Sequence, residues 1–236
     1  QPRFLSDVQV EQDPTDWLNA LPDIAKQASS HSVDALSITC QRSSVLPVDA
    51  QGNALYPAIM WQDQRCAEMQ ELLVGRHELL CELTGARFNT VYAGPKMAWL
   101  LRHEPTLTQK AHKLCTIADY LLFHLTGRWV TDESYASRTL LMNLRTRQWD
   151  DRLLSLFHIP ADKLCEIVPP ASVVGSLTQA FAERTSLRAG IPVVTAGGDQ
   201  QCGALGQGLY RSGRVSLTMG TGAYLVFATN DVPEQL

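Results

Sequence analysis

Apolar positions change period several times along this chain, and the changes outline a mixed α/β architecture. Trp17, Leu18, Leu21, Ile24 and Ala25 recur at helical spacing behind Asp13-Pro14-Thr15-Asp16. That tetrapeptide reads as a cap and first turn, where the N–H that proline lacks would have no partner anyway. Residues 34–40 alternate like a strand, 44–48 resume the pattern, and Tyr56 to Trp61 returns as a third strand beyond the turn at 49–53. Together they predict a meander with a tight hairpin. The middle of the chain is mainly helical, over about 64–74, 95–103 and 118–126, with Gly127 as a stop. Asp132-Glu133-Ser134 reads as another cap, Trp149 to Phe157 as a short helix, and Thr178 to Thr185 as a connecting helix after the break at Val168-Pro169-Pro170. A strand over 191–196, a helix from Gln200 and two strands around Ser216 and Leu225 close the pattern. Strands that end in glycines and feed helices predict an α/β fold whose sites sit at strand termini.

Composition narrows the function classes. With 236 residues, 45% of them apolar and 19% charged, the chain can bury a sizeable core. A net charge of −4 offers no polybasic surface, which argues against nucleic acid or an anionic membrane as partner. No apolar run approaches the roughly 20 residues that span a bilayer, and Gln1-Pro2-Arg3-Phe4 is not the start of a signal peptide, so a cytoplasmic protein is predicted. The six cysteines (40, 66, 81, 115, 165 and 202) are scattered and read as free thiols in a reducing compartment. No two histidines have metal-ligand spacing, and no metal site is predicted.

The candidate chemistry gathers at glycines. Val193 to Ala196 is an apolar run that stops at Gly197-Gly198, and Asp199 follows at the start of a helix. This lifts a carboxylate out of a sheet edge. The structural alternative is a tight turn with Asp199 as N-cap, since glycine admits positive φ and Asp satisfies free helix N–H groups. Thr218-Met219-Gly220-Thr221-Gly222-Ala223 repeats the idea with a hydroxyl between glycines. Gln41-Arg42-Ser43-Ser44 ends the first predicted strand, where an amide and a guanidinium suit neighbouring hydroxyls of a polyol. Trp61-Gln62-Asp63-Gln64-Arg65 offers an aromatic face for a sugar skeleton, against the alternatives of a packed aromatic and a local Asp63–Arg65 ion pair worth little. Gly94 to His103 reads as a packing helix with a structural role.

In their order these segments resemble the N-terminal lobe of an FGGY-family carbohydrate kinase of the glycerol, xylulose and gluconate kinase type. The resemblance rests on Tyr56 to Arg65, Lys96 to His103, Ala118 to Leu122 with Leu125-Thr126-Gly127, Thr131 to Ser137, Gly198-Asp199-Gln200 and Gly220-Thr221-Gly222. It implies a ribonuclease-H-like lobe of the actin–hexokinase superfold, a mixed sheet with flanking helices, over residues 1–228, with 229–236 beginning a connection to a nucleotide-binding lobe. It also implies ATP with Mg²⁺ as cofactors, a sugar or polyol as partner, and compatibility with a homodimer. By residue, it implies Asp199 as the base that takes a proton from the sugar hydroxyl. Gln41, Arg42, Trp61 and Gln200 become substrate-binding positions, and Gly220, Thr221 and Gly222 a phosphate loop.

Two departures qualify the substrate. Ser43 stands where glycerol kinases carry a Glu, and Val91 and Ala93 replace the types expected before the Gly-x-Lys, with Tyr92 one place along. Glycerol is therefore not carried over. The family's opening Asp-x-Gly-Thr hairpin and its second lobe have no counterpart in the sequence, which predicts little activity for this chain by itself. A non-catalytic sugar-binding module is the alternative reading, and a hydrolase using Asp199 is weaker for want of a second paired acid.

Overall fold

The structure is a computed structural model, and it describes residues 1–28, 32–219 and 223–232. Its largest sheet is antiparallel, with strands in the order Arg3–Phe4, Val10–Gln12, Ala58–Ile59, Val45–Val48 and Lys113–Thr116. A second sheet places Pro192–Thr195 between antiparallel Val173–Ser176 and parallel Leu36–Ile38. Val130–Asp132 and Glu166–Val168 form a short parallel pair, and Val215–Met219 with Ala223–Phe227 an antiparallel one.

The predicted meander is half right. Val45 pairs with Ile59 across the turn at 49–53, where Asp49 accepts from the amides of Gln51 and Asn53. The strand before it, however, joins the other sheet, in register Leu36↔Val193 and Ile38↔Thr195. Residues 39–44 cross between the sheets, turning at Ser43 with a φ of 73°. Alternation identifies a strand but not its neighbour, and this one finds its partner more than 150 residues away.

One helix ties the two sheets together. Ile117–Thr126 buries Ile117, Tyr120 and Leu121 against the large sheet, and Leu122 and Leu125 against the second. Each such apolar side chain contributes roughly 1.5–3 kcal/mol relative to exposure. It starts with a capping box, in which the Thr116 hydroxyl accepts from the Asp119 amide and the Asp119 carboxylate accepts from the Thr116 amide at 2.7 Å. It ends at Gly127 in the left-handed conformation, as the sequence predicts. Asp119 is fully buried, its Oδ1 finds no partner among the described residues, and desolvation raises its carboxyl to about 7 against the Thr116 hydrogen bond.

A third cluster fills the far side of the large sheet with Ala93–His103, His77–Thr84 and Asp151–Leu156. The stretch predicted as a helix over 64–74 is a 3-10 helix, Arg65–Leu73. The pair Asp63–Arg65 is not the weak surface contact of the alternative reading. Asp63 is completely buried, accepts from the Val10 amide at 2.6 Å and from Arg65, whose guanidinium also reaches Glu11 at 2.8 Å. It locks the second strand of the large sheet to the loop after Ile59 and takes no place in the cleft described below.

Candidate active site

Strand Pro192–Thr195 runs out at Ala196, and the chain turns at Gly197, whose φ of +99° few other residues adopt. Helix Asp199–Gly206 begins at once. Gly198, not Asp199, is its N-cap, and no side chain caps it. Asp199 is the first helical residue, exposed, and among the described residues its Oδ1 accepts only from the Gln200 amide, at 2.8 Å. The N-cap alternative for this acid is therefore not what the fold uses it for.

The turn is braced from two other segments. The Gly198 amide donates to the Ser134 hydroxyl at 2.9 Å, which in turn donates to Asp132 Oδ1 at 2.6 Å. Asp132 also caps the short helix Glu133–Ala136. The Tyr135 hydroxyl donates to the Gly197 carbonyl at 2.9 Å and accepts from the Cys40 amide at 3.1 Å. Burial pushes this phenol's pKa far up, so it stays a donor at any working pH. Thr39 donates to the same Gly197 carbonyl, and the Asp199 amide donates to the Cys40 carbonyl. Two segments distant in sequence thus fix the backbone that carries the acid.

Arg42 lies across Gly198, so closely that a Cβ there would meet its Cδ at 2.4 Å. Its guanidinium donates to Gln200 Oε1 at 2.7 Å and to the Ser134 carbonyl at 3.5 Å. Burial first, then the like charge of Arg138, lowers its pKa to about 10. Trp61 is 39% exposed and joins the same space, its amide held by the Ser44 hydroxyl. The structure brings Gln41, Arg42, Trp61, Asp199 and Gln200 into one open cleft of about 530 Å³, with Val91, Arg138, Tyr224 and Leu225 along its wall. Gly220, Thr221 and Gly222 lie outside the described residues. A smaller notch of about 280 Å³ continues from Asp199 past Gly203, Ser216 and Thr218.

Sequence reasoning missed several of these parts. Arg138 stacks on Tyr92 with its guanidinium carbon 4.3 Å from the ring centre, and donates to the Tyr92 hydroxyl at 3.0 Å. Lys96, in the helix read as packing, is completely buried and donates to the carbonyls of Thr90 and Tyr92. Desolvation lowers its pKa to about 8. It thereby holds the loop that presents Val91 and Tyr92. A lysine on an otherwise apolar helix face was the one available signal. For Ser134 and Tyr135 the signal was the Asp132 cap, which locates the helix but not what its side chains reach.

Residues 3–206 match the model of the N-terminal domain of the FGGY family of carbohydrate kinases. The chain belongs to the FGGY family. It is 36% identical over 232 residues to a glycerol kinase of Thermococcus kodakarensis, covering 94% of this chain and 46% of that protein. With a xylulose kinase of Escherichia coli it shares 32% identity, over 89% of this chain and 44% of the relative. The crystal structure of Plasmodium falciparum glycerol kinase with ADP superposes with a TM-score of 0.88 at 29% identity, covering 96% of this chain and 48% of that one. The α/β lobe predicted from the sequence is thus the fold of this FGGY chain, which spans about half the length of the curated relatives it matches. Among the described residues no helix is long and apolar enough to cross a membrane.

Proposed function

We propose that the protein carrying this chain transfers the terminal phosphoryl group of ATP to a hydroxyl of a sugar or polyol, and that residues 1–228 form its sugar-binding lobe. Asp199 accepts the proton of the attacking hydroxyl. Arg42, Gln41 and Gln200 orient neighbouring hydroxyls, and Trp61 supplies an apolar face for the carbon chain. The observation that carries the reading is the meeting, in one cleft, of an exposed carboxylate on a braced turn with an Arg–Gln pair and an aromatic ring. Phosphoryl transfer depends mainly on alignment and charge stabilisation, and a braced turn supplies the first of these.

The fit to a nucleotide can be judged from the notch beside Asp199. Open space above Gly203 and the hydroxyls of Ser216 and Thr218 suit a phosphate tail. Bound there, ATP would supply the transferable group. Asp199 is the one carboxylate among the described residues lining the cleft and the notch. With that carboxylate proposed as the base, a magnesium ion would be held chiefly by phosphate oxygens. Gly220, Thr221 and Gly222 remain the proposed phosphate loop on the strength of their sequence alone.

The test is an ADP-release assay on the intact protein across polyols, aldoses and ketoses, with Asp199→Asn as the variant. Loss of a general base predicts a fall in kcat of roughly 10²–10⁴-fold with sugar affinity retained. Turnover that survives the substitution would remove Asp199 from the role. Absence of turnover with every carbohydrate, in the presence of binding, would favour the non-catalytic sugar-binding module.

A further inference from the structure

The charges lining the cleft do not balance. Among its described residues they are Arg42, Arg138 and Asp199. Neither guanidinium makes an ion pair with any described residue, whereas Arg65, Arg102, Arg128, Arg147 and Arg152 each reach a carboxylate. Arg42 spends its described hydrogen bonds on neutral acceptors, the Gln200 amide oxygen and the Ser134 carbonyl. Arg138 uses one N–H on the Tyr92 hydroxyl and covers that ring. A guanidinium has five N–H donors, so both retain donors for a ligand. Ser43, between them in sequence and buried, is uncharged and donates to the Arg138 carbonyl. Burial and the like charge of Arg138 loosen the Arg42 proton, and the attraction of Asp199 offsets them only in part.

Two half-buried guanidiniums that share a cleft with a single carboxylate leave one positive charge uncompensated, and an anion beside them relieves it. We infer that the substrate of this cleft is a sugar acid, a polyol chain ending in a carboxylate that is held by Arg42 and Arg138 while a hydroxyl faces Asp199. This rests on the sugar-kinase reading above and narrows its substrate class. The carboxylate is preferred to a nucleotide phosphate for a positional reason. Arg42 and Arg138 line the cleft that holds Trp61, whose ring suits a carbon chain, and neither lines the notch beside Ser216 and Thr218. A space of about 530 Å³ is ample for an acid of four to six carbons.

Titration calorimetry on the intact protein at low salt tests this with matched pairs, four- to six-carbon aldonates against the alditols of the same configuration, and with inorganic phosphate. At least one aldonate should bind roughly tenfold or more tightly than its alditol, the scale of one or two charge-assisted hydrogen bonds. Arg138→Gln should bring that ratio close to one, and Arg138→Lys should keep part of it. Alditols that bind as well as every aldonate would overturn the inference and leave the kinase reading standing. An aldonate preference untouched by Arg138→Gln would overturn it too. So would phosphate binding that outcompetes the aldonates and disappears in the same variant. Absence of binding by any carbohydrate would remove both readings.

Discussion

On one side of the cleft the turn from Ala196 to Gln200 is held by Ser134, Tyr135, Thr39 and the backbone of Cys40, groups drawn from two segments. On the other, the hairpin Val215–Met219 and Ala223–Phe227 pairs chiefly with itself, and Val215, Leu217, Met219, Tyr224, Leu225 and Phe227 are all exposed. Among the described residues its ties to the rest are few, such as the Ser216 hydroxyl on Gln207 and Arg214 on the Gly208 carbonyl. The same site thus joins a wall whose geometry is over-determined to one whose geometry rests on local pairing. Asp199, the proposed base, stands on the first, where a fixed angle suits that role.

The largest effect expected from disturbing this contrast lies beneath the braced wall, at Asp119, whose carboxyl burial raises to about 7. An acid with a raised folded-state pKa contributes stability that is complete below its unfolded value of 3.8 and is lost as pH climbs through about 7. Over that window the loss is on the order of 4 kcal/mol. Asp119→Asn keeps an acceptor for the Thr116 amide and should abolish this slope in denaturant titrations between pH 4 and 8. An unchanged slope would mean that Asp119 ionises as freely in the fold as out of it.

Tyr135→Phe should come next. It strips the Gly197 carbonyl and the Cys40 amide of a shared partner, at about 1–3 kcal/mol by thermal or denaturant unfolding. Because it loosens the turn and not the proposed sugar contacts, kcat of the intact protein should fall more than sugar affinity. If stability were unaffected, the brace would be redundant with Thr39. The smallest effects are expected on the hairpin, where Leu217→Ser and Leu225→Ser should each change unfolding free energy by no more than about 0.5 kcal/mol. A cost near that of Tyr135→Phe would show this wall to be as firmly held as the other, and the comparison would fail.

Much of the local structure was legible in the sequence. The cap at Asp132, the stop at Gly127, the turn at 49–53 and the closing strands all follow from residue types acting within a few positions. The partner of strand Leu36–Ile38 was not, because alternation is the same whichever neighbour a strand takes. Of the site, Asp199, Arg42 and Gln200 stood out beside glycines and at strand ends. Arg138 did not, and Tyr92 and Lys96 entered only through the family resemblance, since each sits in a segment whose local pattern reads as turn or packing helix.

By itself the sequence determined where Gly197-Gly198 had to turn and that an acid would follow, since backbone freedom and helix initiation are properties of adjacent residues. Only the tertiary structure decided that this acid is not a cap, that Ser134 and Tyr135 hold its turn, and that two arginines share its cleft with no second carboxylate among the described residues. Those facts depend on which distant groups meet and on how burial sets the cost of their charges, and no spacing along the chain encodes either.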